Sequence, residues 1–174
     1  MGINSIKEKI RVVPDFPREG ILFRDLTTVF KDAKCLNDLS NLMTNLYTEK
    51  GITKVVGIES RGFIMGPVMA NNLGAGFVTL RKPGKLPADT YKASYEKEYG
   101  LDTIEIHKDA LQEDDVVLIH DDLLATGGTM YAAYELVKRF NVKKIYINFI
   151  VELEDLNGRS LFPEGVEIES LIKY

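Results

Sequence analysis

VVLIHDDLLATGGTM (residues 116–130) joins an apolar run, an acid pair and a loop of small residues. The run at 116–119 predicts a buried strand, and Asp121 and Asp122 stand at its end. A short loop at 123–129, made mostly of small residues, then leads into a helical pattern. Backbone N–H groups and the helix dipole point out of such a loop, so it predicts an anion-binding site. The loop carries no lysine of the Walker A type, which argues against an ordinary P-loop nucleotide hydrolase.

The acid pair predicts a second kind of contact next to the anion site. Carboxylates repel a phosphate, so Asp121 and Asp122 suit ribose hydroxyls or a hydrated Mg²⁺ instead. The alternative is a purely structural Gly-rich turn with a threonine cap. The apolar strand and the acid pair that precede ATGGT favour the binding site over that alternative.

Short apolar runs alternate with helical patterns on both sides of this stretch. Predicted strands cover 54–58, 76–80, 116–119, 144–151 and 166–171, and predicted helices cover 33–50, 62–73 and 128–140. Pro67 falls within the second helix, and we expect it near the first turn, where proline does little harm. Strand–helix succession with continuously apolar strands predicts an α/β fold with a parallel sheet of about five strands flanked by helices.

Two segments interrupt this alternation. Residues 14–25 are punctuated by Pro14, Pro17 and Gly20 and are predicted to be irregular. Residues 81–101 contain almost no aliphatic side chain, which is typical of a lid or a binding loop. A solvated hairpin is the alternative, because residues 103–107 alternate like an exposed strand.

Composition excludes several classes of protein. The chain has 174 residues, 45% of them hydrophobic, which is enough for a globular core. One cysteine cannot form an internal disulfide. The net charge of −4 argues against a nucleic-acid binder, and no apolar run is long enough to span a membrane. The amphipathic N-terminus is unlike a secretory signal, so a cytoplasmic location is expected. Two histidines and one cysteine favour a hard, oxygen-bound ion such as Mg²⁺.

DDLLATGGT resembles the phosphoribosyl pyrophosphate (PRPP) motif of the type I phosphoribosyltransferases. PDFPREGILFRDLTTVFKD (14–32) is similar to the N-terminal segment of the adenine phosphoribosyltransferases, and GIESRGFIMG, RKPGKLP and SYEKEYGLDTIEIHKDAL fit in the same order. The resemblance spans nearly the whole chain. It implies an N-terminal, base-binding hood at 1–32 and a catalytic core at 33–174 with a flexible lid at about 84–99. It also implies a homodimer that uses Mg²⁺ to make AMP and pyrophosphate from adenine and PRPP.

The resemblance also implies a role for individual residues. It assigns the ribose and the 5′-phosphate to Asp121, Asp122, Ala125, Thr126, Gly127, Gly128 and Thr129. It assigns pyrophosphate to Ser60, Arg61, Arg81, Lys82 and Lys85, and adenine to Leu22, Phe23 and Arg24. Glu98 is the candidate acid/base, Arg61 a second catalytic residue, and Tyr99 belongs to the lid. Mg²⁺ would be held mainly through PRPP and water, with Asp121 and Asp122 as candidate protein ligands.

Each of these roles has a plainer alternative. Arg61 suits pyrophosphate because its planar fork can hold two oxygens, but a surface salt bridge would also explain it. Phe23 could stack on a purine or simply pack in a core. The basic turn could be solvated, and Glu98 could be one more loop charge. The resemblance further implies a cis peptide bond between Glu59 and Ser60.

His120 departs from the aliphatic residue that is usual before the acid pair in this family. On a strand its side chain points away from that of Asp121. We therefore expect a buried histidine satisfied by a hydrogen bond, and not a catalytic group.

Two other functions fit parts of the pattern. One is a non-catalytic regulator that senses PRPP or a nucleotide on the same fold. The short hood and the negative net charge argue against it, because such regulators usually add a DNA-binding domain or a basic surface. The other is a phosphoribosyltransferase for a different purine, such as a 6-oxopurine, against which the hood segment argues.

Overall fold

The computed structural model describes residues 2–97 and 100–174, with only the backbone at Lys97. The chain divides into two compact units, Met1–Leu46 and Tyr47–Tyr174. The first contains helices α1 (Ile3–Lys9), α2 (Thr27–Phe30) and α3 (Ala33–Asn45) and strands β1 (Arg11–Pro14) and β2 (Leu22–Asp25). Asp32 caps the start of α3, because its side chain accepts a hydrogen bond from Cys35 N, and the helix ends five residues before the predicted limit.

Strands β1 and β2 form an antiparallel hairpin in a region predicted to be irregular. That prediction is wrong for Leu22–Asp25, which pair along their length with Arg11–Pro14. The prolines and the glycine lie at the end of β1 or in the connection, where Asp15 accepts a hydrogen bond from Gly20 N at 2.7 Å. The punctuating residues therefore mark a turn between two strands.

The second unit contains a five-stranded parallel sheet, as predicted. In chain order its elements are β3 (Lys54–Ile58), α4 (Gly62–Leu73), β4 (Gly76–Leu80), β5 (Thr90–Lys97), β6 (Gly100–His107), β7 (Val116–Leu124), α5 (Gly128–Lys138), β8 (Lys144–Glu152), the 3-10 helices Glu154–Leu156 and Gly158–Leu161, and β9 (Glu167–Lys173). The strand order is β4-β3-β7-β8-β9, and α4 and α5 flank the sheet. From β3 the next strand of the sheet, β4, is added on one side, whereas from β7 the strands β8 and β9 are added on the other side. The order therefore reverses between β3 and β7, and ligands of such sheets bind at this switch point.

The central strand is longer than its neighbour at this boundary. β3 and β7 pair up to Gly57 and His120, whereas β7 and β8 remain paired up to Leu124 and Glu152. Val117 and Ile119 of β7 face a buried apolar cluster with Leu136 and Val137 of α5. The carboxyl end of β7 thus extends beyond its pairing with β3. The amino-terminal part of β7 is held in place by the apolar core.

Strands β5 and β6 pair as an antiparallel hairpin, so the expectation of a long loop at 81–101 is wrong for Thr90–Lys97 and for Gly100 and Leu101. Tyr95, Ile104 and Ile106 are buried in the same apolar cluster as the sheet. An aromatic side chain supplies in β5 the apolar surface that aliphatic residues would otherwise provide. The hairpin alternative is confirmed in its strand pairing, but its exposed strand at 103–107 is wrong because Ile104, Glu105 and Ile106 are buried. The flexibility of a lid at 84–99 stays a prediction.

Helix α4 continues through Pro67, which is its sixth residue and not part of the first turn as expected. Proline lacks the N–H that would bond four residues back, so the helix loses one hydrogen bond there. Met65 and Met69 on either side are fully buried. Tertiary packing therefore outweighs the local preference against proline.

Candidate active site

The acid pair lies at the extended end of β7. Asp122 is buried, and Asp121 is half-buried and accepts a hydrogen bond from Asp122 N at 2.8 Å. Burial raises the pKa of Asp121 well above its usual value, and the neighbouring Asp122 charge raises it further. Burial also raises the pKa of Asp122, although Arg61 opposes that effect. Two acids held so close are set up to accept hydrogen bonds from a diol and to share a proton at low pH.

Arg61 reaches this pair from the turn between β3 and α4. Its Nε lies 2.7 Å from Asp122 Oδ2. The Glu59–Ser60 bond in the same turn is cis, as the resemblance implied. Arg61 and Ser60 are both exposed, so the predicted pyrophosphate residues are open to solvent beside the acids.

The loop of residues 125–129, called the phosphate loop from here on, connects the acid pair to α5. Gly127 has a φ of +88°, which glycine adopts without strain. A Cβ atom at Gly127 would also stand 2.6 Å from Gly158 O, so the position excludes a side chain on steric grounds. The phosphate loop, Arg61 and the acid pair line one cavity of ≈ 170 Å³. The structure thus brings together the residues predicted for ribose, the 5′-phosphate and part of the pyrophosphate.

The three predicted cations of the basic turn are held by carboxylates that the sequence did not single out. Arg81 Nε lies 3.4 Å from Glu59 Oε2, and Lys85 Nζ pairs with Glu59 Oε1. Glu59 Oε2 also accepts a hydrogen bond from Lys82 N at 2.9 Å. Burial raises the pKa of Glu59, but the Lys85, Lys82 and Arg81 contacts outweigh it and lower that pKa to about 2. These cations thus have carboxylate partners within the fold, although the Lys85 side chain is still 47% exposed, and their role in binding pyrophosphate stays a prediction.

Lys82 makes a separate contact with the hairpin. Its ammonium group pairs with the Asp102 carboxylate and lies 3.4 Å from Tyr95 Oη. Tyr95 Oη donates in turn to Asp102 at 3.0 Å. Burial lowers the pKa of Lys82, but these contacts outweigh it and leave the pKa raised. The basic turn and the hairpin are therefore linked by charge.

The hairpin also passes the start of α5. A Cβ atom at Gly128 would stand 3.6 Å from both Glu96 O and the Tyr95 ring, which is ordinary contact distance. A groove of ≈ 600 Å³ between β5 and α5 shares Thr126 and Gly128 with the phosphate-loop cavity. The end of β5 thus lies beside the phosphate loop. Glu98 and Tyr99 follow β5 and lie outside the described residues.

His120 is fully buried, as expected, and it is hydrogen-bonded at Nδ1, whereas its buried Nε2 has no hydrogen-bond partner among the described residues. Its Nδ1 lies 3.0 Å from Asn148 Oδ1, and Asn148 Nδ2 donates to Tyr47 Oη at 3.2 Å. This assignment makes Nδ1 the protonated nitrogen. Burial outweighs the Asn148 contact and lowers the pKa of His120 to about 4. The contact with Asn148 joins β7 to the neighbouring strand β8, and the absence of a catalytic role for His120 stays a prediction.

The predicted adenine residues belong to the first unit, in strand β2. Leu22 is 55% exposed, whereas Phe23 and Arg24 are half-buried. The Phe23 ring makes an edge contact with Phe16 at a centroid distance of 5.1 Å. Half-burial together with this ring contact leaves both stacking and packing compatible with the position of Phe23.

A family model of the phosphoribosyl transferase domain matches residues 27–161. An adenine phosphoribosyltransferase from Bacteroides thetaiotaomicron is 63% identical over 172 residues, which cover 99% of this chain and 98% of the relative. The chain belongs to the adenine phosphoribosyltransferase family. The solved adenine phosphoribosyltransferase of Thermoanaerobacter pseudethanolicus has a TM-score of 0.93 at 46% identity and covers 99% of each chain. The Giardia lamblia enzyme, solved with 9-deazaadenine, has a TM-score of 0.94 at 45% identity and covers 100% of this chain and 98% of its own.

In this member of the adenine phosphoribosyltransferase family, a metal would meet two carboxylates at the acid pair. No group of three or more His, Cys, Asp or Glu side chains is arranged to hold an ion in the part of the chain that the structure describes. Mg²⁺ commonly binds through one or two carboxylates while substrate phosphates and water complete its shell. The donor set at Asp121 and Asp122 fits that arrangement.

Sequence reasoning missed three residues that support this site: Glu59, Asp102 and Gly158. Glu59 had a recognisable signal, because it stands at a strand end beside the predicted pyrophosphate turn. The other two lie far along the chain from their partners, and only folding brings them together.

Within residues 2–97 and 100–174, the helices fall short of the length and apolarity needed to cross a bilayer.

Proposed function

We propose that this chain transfers the 5-phosphoribosyl group of PRPP to adenine, giving AMP and pyrophosphate in purine salvage. The observation that carries the proposal is the single cavity lined by Arg61, the acid pair and the phosphate loop. It combines acceptors for a diol, backbone donors for a phosphate and a cation for a second anion. The relatives named adenine phosphoribosyltransferase support adenine as the base.

The phosphate loop holds the 5′-phosphate through backbone N–H groups at the start of α5, and Thr126 and Thr129 add hydroxyl donors. Asp121 and Asp122 accept hydrogen bonds from the ribose hydroxyls. These contacts fix the ribose on both sides of C1′, so the reacting carbon has one position relative to the base.

Pyrophosphate leaves as the bond between C1′ and its oxygen breaks and C1′ becomes oxocarbenium-like. Arg61, Ser60 and the basic turn of Arg81, Lys82 and Lys85 bind the departing oxygens, where negative charge grows. Mg²⁺, when bound through PRPP, water and the acid pair, supplies additional charge stabilisation. On binding, Arg81 and Lys85 would leave the Glu59 carboxylate and contact the phosphate oxygens, so one anionic partner replaces another.

Adenine N9 forms the new bond to C1′ and loses its proton. Backbone C=O and N–H groups near Leu22 and Arg24 match the 6-amino donor and the N1 acceptor of adenine, and Phe23 offers a stacking face. Glu98 accepts the N9 proton directly or through the tautomer of the base. The hairpin carries Glu98 and Tyr99 as a lid that excludes water, which would otherwise hydrolyse PRPP.

The proposal includes a homodimer and a cytoplasmic location. The dimer follows from the family resemblance, in which part of the basic turn serves the neighbouring subunit. Cys35 is buried and is the single cysteine of the sequence, which accords with a reducing compartment.

The decisive assay measures nucleotide formation from PRPP and Mg²⁺ with adenine, hypoxanthine, guanine or xanthine. We expect AMP from adenine and little product from the three oxopurines. PRPP binding without any product would indicate a sensing protein, and a preference for an oxopurine would indicate a different transferase. Either result would overturn the proposal.

A further inference from the structure

The phosphate loop rests on a turn that lies outside its own sequence motif. Gly158 begins the 3-10 helix Gly158–Leu161, and its backbone lies against the loop. A Cβ atom at Gly127 would stand 2.6 Å from Gly158 O, and one at Gly158 would collide with Ala125 O. The two backbones are in direct contact, with no room for a side chain between them.

The residue after Gly158 fastens this turn to the sheet. Arg159 Nε and Nη2 donate to the two carboxylate oxygens of Glu152 at 2.6 and 2.7 Å. Arg159 Nη1 donates to Ile168 O at 2.7 Å, and Nη2 also lies 3.3 Å from Ser170 Oγ. Glu152 is the last residue of β8, and the other two partners lie in β9. One guanidinium therefore joins the turn to two neighbouring strands.

Glu152 also stands beside the start of the phosphate loop. It is paired with Leu124 in the sheet, and Leu153 N donates to Leu124 O at 2.9 Å. The Glu152 side chain is only 5% exposed. Burial raises its pKa, but the hydrogen bonds from Arg159 outweigh burial and leave the pKa lowered. A charged, bidentate pair in this setting holds its geometry more firmly than an exposed ion pair.

We infer that Arg159 is a positioning residue for the phosphate loop, an inference that rests on the proposed role of that loop in binding the 5′-phosphate. Arg159 acts through its neighbours: it fixes Gly158 against the middle of the loop and Glu152 beside the loop's start. The backbone donors of the loop are then in place before a phosphate arrives. Donors that are already ordered bind more tightly, because no ordering cost falls on the binding step.

The test compares AMP with adenosine by calorimetry, because the two ligands differ only in the 5′-phosphate. The wild-type chain should bind AMP much more tightly than adenosine. Arg159→Lys should weaken AMP binding about tenfold, as expected for a small misplacement of binding groups, and leave adenosine binding unchanged. The double variant Glu152→Gln/Arg159→Gln removes the pair without leaving a buried carboxylate alone, and should show the same selective loss.

Lys54→Met is the matched control, since Lys54 pairs with the buried Asp115 at the opposite end of the sheet. It should lower the melting temperature and leave the ratio of AMP to adenosine affinity unchanged. If both folded Arg159 variants kept the wild-type ratio of AMP to adenosine affinity, the inference about Arg159 would be overturned, but the proposed role of the loop would not. Equal binding of AMP and adenosine by the wild-type chain would overturn the proposed role of the loop.

Discussion

The guanidinium Nε of Arg61 lies 2.7 Å from the buried carboxylate of Asp122, while 47% of the Arg61 side chain stays exposed. One end of this planar group therefore contacts the wall of the site, and the rest faces the cavity. An arginine can contact a carboxylate through one edge and phosphate oxygens through another. The residue proposed for pyrophosphate and the residue proposed for ribose are coupled before any substrate binds.

Replacing Arg61 should change the pH dependence of the reaction as well as its rate. Burial raises the pKa of Asp122 and Arg61 opposes that rise, so Arg61→Gln should raise this pKa further. The carboxylate must be charged to accept both ribose hydroxyls. The acidic limb of kcat/KM for PRPP should therefore move to higher pH, with an overall loss on the order of 10²-fold. Steady-state profiles from acid to neutral pH measure both effects.

Arg81→Gln is the control for this shift. Arg81 is also a proposed pyrophosphate residue, but it contacts Glu59 and not the acid pair. Its activity should fall while the acidic limb stays in place. A limb that moves equally in both variants would show that the pair of Arg61 and Asp122 does not set it.

Removing either charge of the acid pair should weaken PRPP binding selectively. Asp121→Asn and Asp122→Asn each leave one acceptor oxygen in place of two. The lost charge-assisted hydrogen bonds amount to about 1.5–3 kcal/mol, so KM for PRPP should rise roughly 10- to 100-fold. Adenine affinity, measured by calorimetry, should change little.

Asp115→Asn provides a matched control for the acid pair. Asp115 is likewise buried and hydrogen-bonded, but it precedes β7 at the amino end of the sheet. Its substitution should lower stability and leave KM for PRPP unchanged. If all three variants gave the same small rise in KM, the acid pair would be structural.

Two adjacent glycines of the phosphate loop should differ in their tolerance of a methyl group. Gly127→Ala meets a positive φ and the Gly158 carbonyl, so it should cost about 2–4 kcal/mol of unfolding free energy. Gly128→Ala meets its neighbours at 3.6 Å and should leave stability almost unchanged. Denaturant unfolding of both variants checks this; equal stabilities would contradict the close packing against Gly158.

The cluster around Glu59 should contribute stability that disappears in acid. The folded-state pKa of Glu59 is lowered to about 2, from an ordinary value of 4.5. A lowered pKa stabilises the fold above the unfolded-state value, and that stability is lost as pH falls from about 4.5 toward about 2. Glu59→Gln should therefore destabilise the chain by about 1–2 kcal/mol at pH 7 and by much less near pH 3. A difference that is constant with pH would exclude this mechanism.

Glu98→Gln keeps the size of the side chain and removes the proposed base. Turnover should fall by roughly 10²-fold, the usual size of a general acid–base contribution, while adenine affinity stays nearly constant. Glu96→Gln, two residues earlier on an exposed position of β5, should retain activity. Full single-turnover rate in Glu98→Gln would assign the proton transfer to another group.

Local patterns predicted the parallel sheet closely. The limits of β3 and β4 match the expected residues, because each is a short apolar run bounded by turn residues. The phosphate loop was equally visible, since its strand, acids and glycines are consecutive. β5 was missed because its buried surface comes from Tyr95 and not from an aliphatic run.

The pairings within the site could not be read from local sequence. Helix α4 and strand β4 separate Glu59 from Arg81 and Lys85 along the chain. A short 3-10 helix separates Glu152 from Arg159. These contacts depend on the positions of whole elements, which sequence periodicity does not specify. The basic turn was expected to bind pyrophosphate or to be solvated, and nothing in the local sequence indicated that Glu59 and Asp102 pair with its three cations.

The unequal lengths of β3 and β7 set the depth of the substrate crevice. β7 runs four residues past its last pairing with β3, which at ~3.3 Å per residue is a step of about 13 Å. That step is comparable to the length of a phosphorylated sugar. Extending β3 by two residues would fill half of the step with main chain, so insertions in the turn after Ile58 should be poorly tolerated. The difference in length between β3 and β7 thus determines how much room the site leaves for a substrate.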